Sequence, residues 1–357
     1  MTSDTLIRRL DRLLVRDPAG RGLSDDELGL GVSRGQSVWQ AAESLAASTG
    51  GVALVTGFAV VDVPCPTAET DGPPGALYLA ALLAAAGREI TLIGDDYARP
   101  LLEAGADHFG LPRDAIVTCP FEDDDPASAL RASNEPVDST RSAAWCEELL
   151  NGPRGLRFSH LLAIERAGPS HTADSVAGQA TGEADRVERF RAEVPSSTWN
   201  LCHNMRGESI NAHTAKTHLL FEMASAPQRP ITTIGLADGG NEIGAGCLPW
   251  DRVRRAVRLG PGGIIACRIA TDHLLLAGVS DWAAYALAAV YAQLAGRVDC
   301  LAPWNVDHQR ALVERLVHEA GAVDGVTRRA QASVDGLPLE TYLQPLGALR
   351  QWLGLSA

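Results

Sequence analysis

Continuous apolar runs alternate with helical stretches along most of the chain. A short apolar run bounded by glycines or charged residues is typical of a buried strand, whereas a longer one is typical of a helix. This alternation predicts an α/β fold with a mainly parallel, Rossmann-like sheet and helices on both of its faces. The predicted strands are residues 51–60, 88–96, 115–119, 159–166, 230–238 and 263–271, and the predicted helices are 75–86, 139–150 and 282–295.

The start of the chain has the leucine spacing of an amphipathic helix. Four leucines between residues 6 and 14 recur at helical intervals. We therefore expect an N-terminal helical arm over residues 1–45, docked on a single α/β domain of residues 46–357. Acidic residues in the same stretch argue against a transit peptide, since such peptides contain few acids.

Two polar segments lie between the predicted elements. Residues 121–138 are acidic and rich in turn formers, which predicts a solvated loop. Residues 168–203 are polar, with a predicted helix near 183–193. This second segment is either a surface insertion or a lid over a binding site.

Composition and charge restrict the classes of partner. The 357 residues carry a formal net charge of −13, which argues against non-specific binding to nucleic acid or to an anionic membrane surface. The seven cysteines contain no CxxC pair, which indicates reduced thiols, and we expect a cytoplasmic protein that could form a homo-oligomer. The longest apolar helical stretch is too short to span a membrane.

The first candidate site follows the first predicted strand. Glu69, Thr70 and Asp71 precede a glycine–proline turn that begins with Gly72, ends with Gly75 and leads into the helix. Free N–H groups and the helix dipole at such a point bind a carboxylate or a phosphate. The alternative is a rigid capped turn without a ligand. Neither a P-loop nor a dinucleotide-binding glycine motif is present.

The second candidate site is GLADGGNEIGAG, residues 235–246, at the end of the fifth predicted strand. Asp238 and Glu242 could share a proton or hold a divalent cation such as Mg²⁺ or Mn²⁺. Asn241 lies between them, and Gly239 and Gly240 could form a nest of N–H groups. The alternative is a tight turn with solvated acids. No other cofactor is predicted.

Further candidates follow the fourth predicted strand and lie in the segment HNMRGES. Glu165 and Arg166 are site residues or a plain salt bridge. Asn204 and Arg206 lie in the segment HNMRGES, and Arg206 could bind a substrate carboxylate through two hydrogen bonds. Lys216 is the single lysine of the sequence and is either a catalytic amine or part of an ordinary helix.

Several of these segments together resemble one known family. The segments ETDGPPGA, SHLLAIERAG, NMRGESI, DGGNEIGAG, TDHLLLAGVSDW, GAVDGVT and SVDGLPLE occur in this order. Together they are similar to the C-terminal domain of D-glutamate cyclases. The resemblance implies a hydro-lyase that acts on a small anionic amino acid, in which the α-amine of glutamate attacks its own γ-carboxyl group. Water leaves and 5-oxoproline is formed.

The sequence assigns provisional roles within such a reaction. We expect Asp238 or Glu242 to deprotonate the substrate ammonium, and Glu165 or the partner carboxylate to protonate the departing oxygen. We expect Arg206 and the helix start at residues 72–75 to bind the substrate carboxylates, and the N–H groups of residues 239–240 to stabilise the oxyanion. A non-catalytic amino-acid or nucleotide-binding module and an enzyme that handles acyl or phosphoryl groups remain as alternatives.

Overall fold

The computed structural model describes residues 3–23, 33–122, 140–179, 185–224 and 231–356. The strands are β1 (Gly51–Thr56), β2 (Ala59–Val60), β3 (Thr67–Ala68), β4 (Ile90–Gly94), β5 (Ile116–Thr118), β6 (Phe158–Ile164), β7 (Thr232–Ala237), β8 (His273–Leu276), β9 (Ser333–Val334) and β10 (Leu337–Pro338). The helices up to β7 are α1 (Ser3–Leu14), α2 (Arg34–Ala47), α3 (Pro73–Ala85), α4 (Arg99–Phe109), α5 (Thr140–Asn151), α6 (Ala173–Ala177), α7 (Arg186–Glu193) and α8 (His218–Ala224). The later helices are α9 (Trp250–Ala256), α10 (Gly262–Ile265), α11 (Ser280–Leu294), α12 (Val306–Ala320), α13 (Leu339–Tyr342) and α14 (Gln344–Trp352).

The main sheet has six parallel strands in the order β5-β4-β1-β6-β7-β8. This is the order of a Rossmann fold, in which the chain moves outward from β1 to one edge and then returns to build the other half. The reversal of direction lies between β1 and β6. Loops that leave the carboxyl ends of these two strands diverge, and the crevice between them is where α/β proteins bind ligands.

Alternation of side chains along the strands builds a core on each face of the sheet. Val52 and Leu54 of β1 join a large apolar cluster on one face, while Ala53 and Val55 join a second cluster on the other. The first cluster is covered by α1–α4, α11, α12 and α14, and the second by α5 and α8. The α/β fold with a parallel sheet and helices on both faces, predicted from the sequence, is confirmed.

The N-terminal helices are part of this packing. The leucines of α1 are buried in the large cluster together with the apolar face of α2, as their spacing predicts. After α1 the chain continues to Leu23 at the end of a described range, and this stretch places Arg21 against the loops that follow β7 and β9. No helix in the described part of the chain is long and apolar enough to cross a membrane.

One predicted strand is wrong. Residues 263–271 begin inside α10 and then run in an extended conformation outside the sheet. The reason is that their N–H groups find other partners: Cys267 donates to Gly240 O (2.9 Å) and Arg268 donates to Pro169 O (2.9 Å). The edge of the sheet is formed instead by β8, which pairs with β7.

The remaining predicted elements are found close to the expected bounds, except that the strand predicted over residues 51–60 ends at Thr56 and is followed by the separate short strand β2. The two polar segments are described only in part. Residues 123–138 of the predicted solvated loop and residues 180–184 of the second segment lie outside the described residues. The helix predicted near 183–193 is confirmed as α7, and its Phe190 is buried against Trp250 with 5.2 Å between ring centroids.

Candidate active site

A cavity of about 510 Å³ opens beyond the carboxyl ends of β1 and β6, where the strand order reverses. Its lining combines apolar side chains with carboxylates and arginines, a combination typical of small-molecule sites. The described residues of segment 168–203 do not line it, and several of them, including His171, Phe190 and Cys202, are buried. The lining residues are Pro18, Ala19, Arg21, Phe58, Ala59, Val60, Val61, Asp62, Glu69, Glu165, Asn204, Met205, Arg206, Asn241, Leu259, Gly325, Val326, Arg328, Asp335, Gly336 and Leu337.

Buried carboxylates converge at the floor of this cavity. Single oxygens of Glu165, Asp238 and Glu242 all lie within 4.8 Å of one another. Asp238 also belongs to a second such group with Asp71 and Asp335. All five side chains are buried, and they come from loops that follow four different strands, β3, β6, β7 and β9. The fold therefore brings together acids that the sequence placed in separate candidate sites, and adds Asp335 to them.

Arg21 neutralises part of this charge. Its Nη1 donates to Asp238 Oδ2 and to Asp335 Oδ2, at 2.8 Å each, and its Nη2 donates to Asp335 Oδ1 at 2.6 Å. The guanidinium thus binds Asp335 through two parallel hydrogen bonds and bridges it to Asp238. Charges of both carboxylates raise the arginine pKa against the opposing effect of burial, so Arg21 remains cationic.

The loop after β7 folds back on its own carboxylate. Gly239 N–H donates to Glu242 Oε1 at 2.8 Å, and Gly240 N–H donates to Glu242 Oε2 at 2.7 Å. The N–H nest predicted from the glycines exists, but in this structure it holds the Glu242 side chain and is not open for a substrate oxyanion. Burial raises the pKa of Glu242, and these N–H groups partly oppose that rise.

Glu165 is held in an uncommon backbone conformation. It is the residue directly after β6, and its φ of 44° lies in the left-handed region, which non-glycine residues rarely adopt. Its Oε2 accepts a hydrogen bond from Ser280 Oγ at 2.5 Å. Burial, followed by the charge of Glu242, raises the pKa of Glu165 well above its ordinary value. Strained backbone of this kind persists where the surrounding structure fixes it, commonly at functional sites.

Three buried acids face the cavity, in addition to the more exposed Asp62, and two buried acids lie behind them. Glu69, Glu165 and Asp335 line the cavity, whereas Asp238 and Glu242 do not. Glu69 lies against Gly325, where an added Cβ would be 1.7 Å from Glu69 Oε2, so no larger residue fits there. Burial, followed by the charge of Asp335, raises the pKa of Glu69 well above its ordinary value.

The N-terminus of α3 is occupied by a carboxylate of the protein itself. Gly72 N–H and Gly75 N–H donate to Asp281 Oδ1 at 3.0 and 2.7 Å. A Cβ on Gly75 would lie 2.4 Å from this oxygen, so the close approach requires glycine. The predicted ligand carboxylate at the helix start is therefore Asp281, and these N–H groups are not free for substrate. Thr70 also has a structural partner, since its Oγ1 donates to Ser333 O at 2.7 Å.

Arg166 does not reach the cavity. Its guanidinium forms an ion pair of 2.6 Å with Asp95 and donates to Gly57 O at 2.6 Å and to Ala215 O at 2.9 Å. The side chain is fully buried and joins the loops after β1, β4 and β6. The salt-bridge alternative describes Arg166 correctly, although its partner is Asp95 and not Glu165.

Two arginines stand at the mouth of the cavity. Arg206 lies 3.4 Å from Asp62 and is half exposed, and Arg328 forms a second ion pair with the same carboxylate. Asn204 also lines the mouth and orients the loop by accepting hydrogen bonds from the N–H groups of Arg206 and Glu208. Lys216 lies elsewhere: its buried Nζ donates to the Asn211 carbonyl and amide oxygens at 2.7 Å each.

Sequence reasoning missed several residues that complete the site. Asp324 organises the last loop by accepting hydrogen bonds from Thr327 N–H and Gly336 N–H, at 2.8 Å each. The missed residues are Arg21, Asp281, Asp324 and Asp335. The sequence signal for Asp324 and Asp335 was a repeated Val-Asp-Gly triplet at 323–325 and 334–336.

Comparison with known proteins identifies relatives of the chain. A family model described as D-glutamate cyclase-like, C-terminal, matches residues 10–182 and 193–350. The human protein D-glutamate cyclase, mitochondrial, is 31% identical over 290 residues, which are 79% of this chain and 38% of the human protein. The chain thus spans less than half the length of that curated relative. The matched segments contain every residue of the acidic cluster and Arg21.

Proposed function

The chain belongs to the D-glutamate cyclase-like, C-terminal family, and on this premise we propose that it is a hydro-lyase that cyclises glutamate, or a closely related amino acid, to 5-oxoproline. The observation that carries the proposal is the cavity with an acidic floor and an arginine-bearing mouth at the reversal of strand order. Such a cavity complements a small molecule that has an ammonium group at one point and carboxylates at others.

The charges define an orientation for the substrate. The acidic floor attracts the α-ammonium group, while Arg206 and Arg328 attract the α-carboxylate toward the mouth. In a folded conformer the γ-carboxyl group then lies beside the amine, near Glu165. Holding these two reacting groups in contact removes most of the entropic cost of ring closure.

The reaction requires a group that moves protons. Cyclisation forms one C–N bond and breaks one C–O bond, and two protons pass from the nitrogen to the oxygen that leaves as water. A carboxylate at the cavity surface can accept the first proton and deliver it to the departing oxygen. Glu69 faces the cavity and, unlike Asp335, has no ion pair within 4.0 Å among the described residues. We therefore assign proton transfer to Glu69, whereas the sequence alone favoured Asp238 or Glu242, which lie behind the wall.

Mass spectrometry of the reaction with D- and L-glutamate tests the proposal. The wild-type chain should form a product lighter by one water, and Glu69→Gln should lower kcat by about 100- to 10,000-fold. Glu314→Gln changes an exposed glutamate of α12 and should leave kcat unchanged. Binding of glutamate without any loss of water would instead support a non-catalytic binding module and overturn the proposed activity.

A further inference from the structure

Two buried oxygens lack a hydrogen-bond donor, one on Asn241, which lines the cavity, and one on Asp238, which lies behind its wall. Asp238 Oδ1 and Asn241 Oδ1 are fully buried, and no described residue donates to either atom. Asn241 Nδ2 donates to His203 O at 2.8 Å, which fixes the amide so that its oxygen is the unpartnered atom. A buried acceptor without a partner costs about 1–3 kcal/mol, so such atoms mark a place where a cation or a donor belongs.

Asn241 Oδ1 lies beside the first acidic group. A Cβ built on Gly239 would lie 2.7 Å from Asn241 Oδ1 and 2.8 Å from Glu242 Oε1, so these two oxygens border the same point, together with Met205 Sδ at 2.6 Å. Single oxygens of Glu165, Asp238 and Glu242 lie within 4.8 Å of one another. Four candidate oxygen ligands from two loops, those that follow β6 and β7, therefore lie close together.

Protein donors hold oxygens of the same three carboxylates. Ser280 Oγ binds Glu165 Oε2, Arg21 binds Asp238 Oδ2, and the Gly239 and Gly240 N–H groups bind Glu242. Such donors fix the orientation of the carboxylates, as the outer hydrogen bonds of metal ligands do.

We propose that Glu165, Asp238, Glu242 and the amide oxygen of Asn241 form a binding site for one divalent cation of the Mg²⁺ or Mn²⁺ type. Carboxylate and amide oxygens without nitrogen or sulfur are the ligand set of such hard cations. A divalent charge balances three carboxylates better than an ammonium group does. Arg21 fills the neighbouring acidic group, so one guanidinium and one metal ion divide the cluster between them.

The site also gives the proposed reaction a missing charge partner. In the orientation described above, the γ-carboxylate lies near Glu165, where the surrounding acids repel it. A cation on Glu165 would bind this carboxylate and polarise its C–O bond toward attack by the amine. This catalytic role rests on the proposed cyclase function, whereas the existence of the metal site does not.

Binding of Mn²⁺ to the metal-stripped full chain, without substrate, tests the site. Electron paramagnetic resonance titration should show one bound Mn²⁺ per chain, displaced by excess Mg²⁺. Glu242→Gln and Asn241→Leu should each weaken binding at least about 10-fold, whereas Glu314→Gln should bind like wild type. Circular dichroism will confirm that each variant is folded. Equal Mn²⁺ affinity in wild type and both site variants, or no binding by wild type, would overturn the proposal.

Measurements of turnover separate the site from the proposed function. Stoichiometric Mn²⁺ binding with no cyclised product would leave the metal site standing and would refute the cyclase activity. Full turnover by the metal-stripped chain would refute the catalytic role of the cation while supporting the cyclase.

Discussion

Asp71 and Asp281 cap each other's helices: Asp71, just before α3, accepts hydrogen bonds from the start of α11, and Asp281, in the first turn of α11, accepts them from the start of α3. Asp71 accepts from Ser280 N–H and Asp281 N–H at the start of α11, at 3.0 Å each. Asp281 accepts from Gly72 N–H and Gly75 N–H at the start of α3. The exchange joins the two most buried helices of the main core at the edge of the acidic cavity.

Removing one member of this pair should destabilise the fold. Asp281→Ala leaves the buried Gly75 N–H without an acceptor and removes the acceptor of the Tyr342 hydroxyl, whereas Gly72 N–H keeps its hydrogen bond to Asp71 Oδ1. The substitution should lower the free energy of unfolding by about 1–3 kcal/mol. Asp71→Ala should cost a similar amount, and the double variant should cost less than the sum, because the two caps act as one unit. Urea unfolding measures all three. Asp307→Ala, which removes an exposed acid from the first turn of α12, should change stability by less than about 0.5 kcal/mol. Strict additivity of the two core substitutions would contradict this coupling.

The pH dependence of stability should report on Asp281. Burial raises its pKa to about 7, while the Tyr342 hydroxyl, at 2.6 Å from Oδ2, partly opposes the rise. Between its ordinary value of about 4 and about 7, the folded chain binds more protons here than the unfolded chain. Stability from this group is therefore complete below pH 4 and is lost as the pH rises toward 7. Asp281→Asn keeps a capping oxygen but cannot titrate, so its melting temperature should fall less than that of wild type as the pH rises from 4 to 7.5. An equal fall in wild type and variant would show that Asp281 is not the titrating group.

Arg21 should matter more at high pH than at low pH. Arg21→Gln removes the guanidinium that pairs with Asp238 and Asp335, and breaking a buried pair costs about 3–5 kcal/mol. The loss should be larger at pH 8 than at pH 5, since protonated carboxyl groups need no counter-ion. Urea unfolding at both pH values checks this. Arg297→Gln, an exposed arginine, serves as the matched control. An equal loss at the two pH values would mean that Arg21 acts through packing and not through charge.

Substitution of Arg166 and of Arg206, both candidate site residues from the sequence, should have different effects. Arg166→Met leaves Asp95 buried without its partner and should reduce stability by about 3–5 kcal/mol. Arg206→Met removes a half-exposed side chain at the cavity mouth and should leave stability within about 0.5 kcal/mol. If the proposed substrate orientation is right, Arg206→Met should raise KM for glutamate about tenfold with little change in kcat. A stable Arg166→Met variant with a raised KM would reverse these assignments.

Local pattern was sufficient for most of the fold. Strands such as β1 and β7 are buried on both faces, so their apolar runs could be recognised without knowing their neighbours. Residues 263–271 show the limit of this reasoning. Their run is as apolar as that of a central strand, yet its hydrogen-bonding partners are the loops at Gly240 and Pro169, which only the tertiary structure places nearby.

The site was predictable in part for the same reason. Asp238, Glu242, Glu165 and Glu69 follow predicted strands, and the carboxyl ends of parallel strands meet at one edge of a sheet. The sequence could not predict which of these groups form hydrogen bonds or ion pairs with each other. The acceptor for Gly72 and Gly75 is Asp281, more than 200 positions away, and the partner of Arg166 is Asp95 on a neighbouring loop. Such pairings depend on strand order, which the hydrophobic pattern does not contain.

Arg21 joins Asp238 and Asp335 across separations of 217 and 314 positions. During synthesis Arg21 emerges first, Asp238 much later and Asp335 last of the three. The ion pairs among them therefore cannot form until nearly all the described chain has been made. A fragment that lacks either flank would retain a complete sheet and an unbalanced interior charge. The segments that carry Arg21 and Asp335 are thus both needed to balance the buried charge. Removing either segment should be tolerated far less well than enlarging a surface loop.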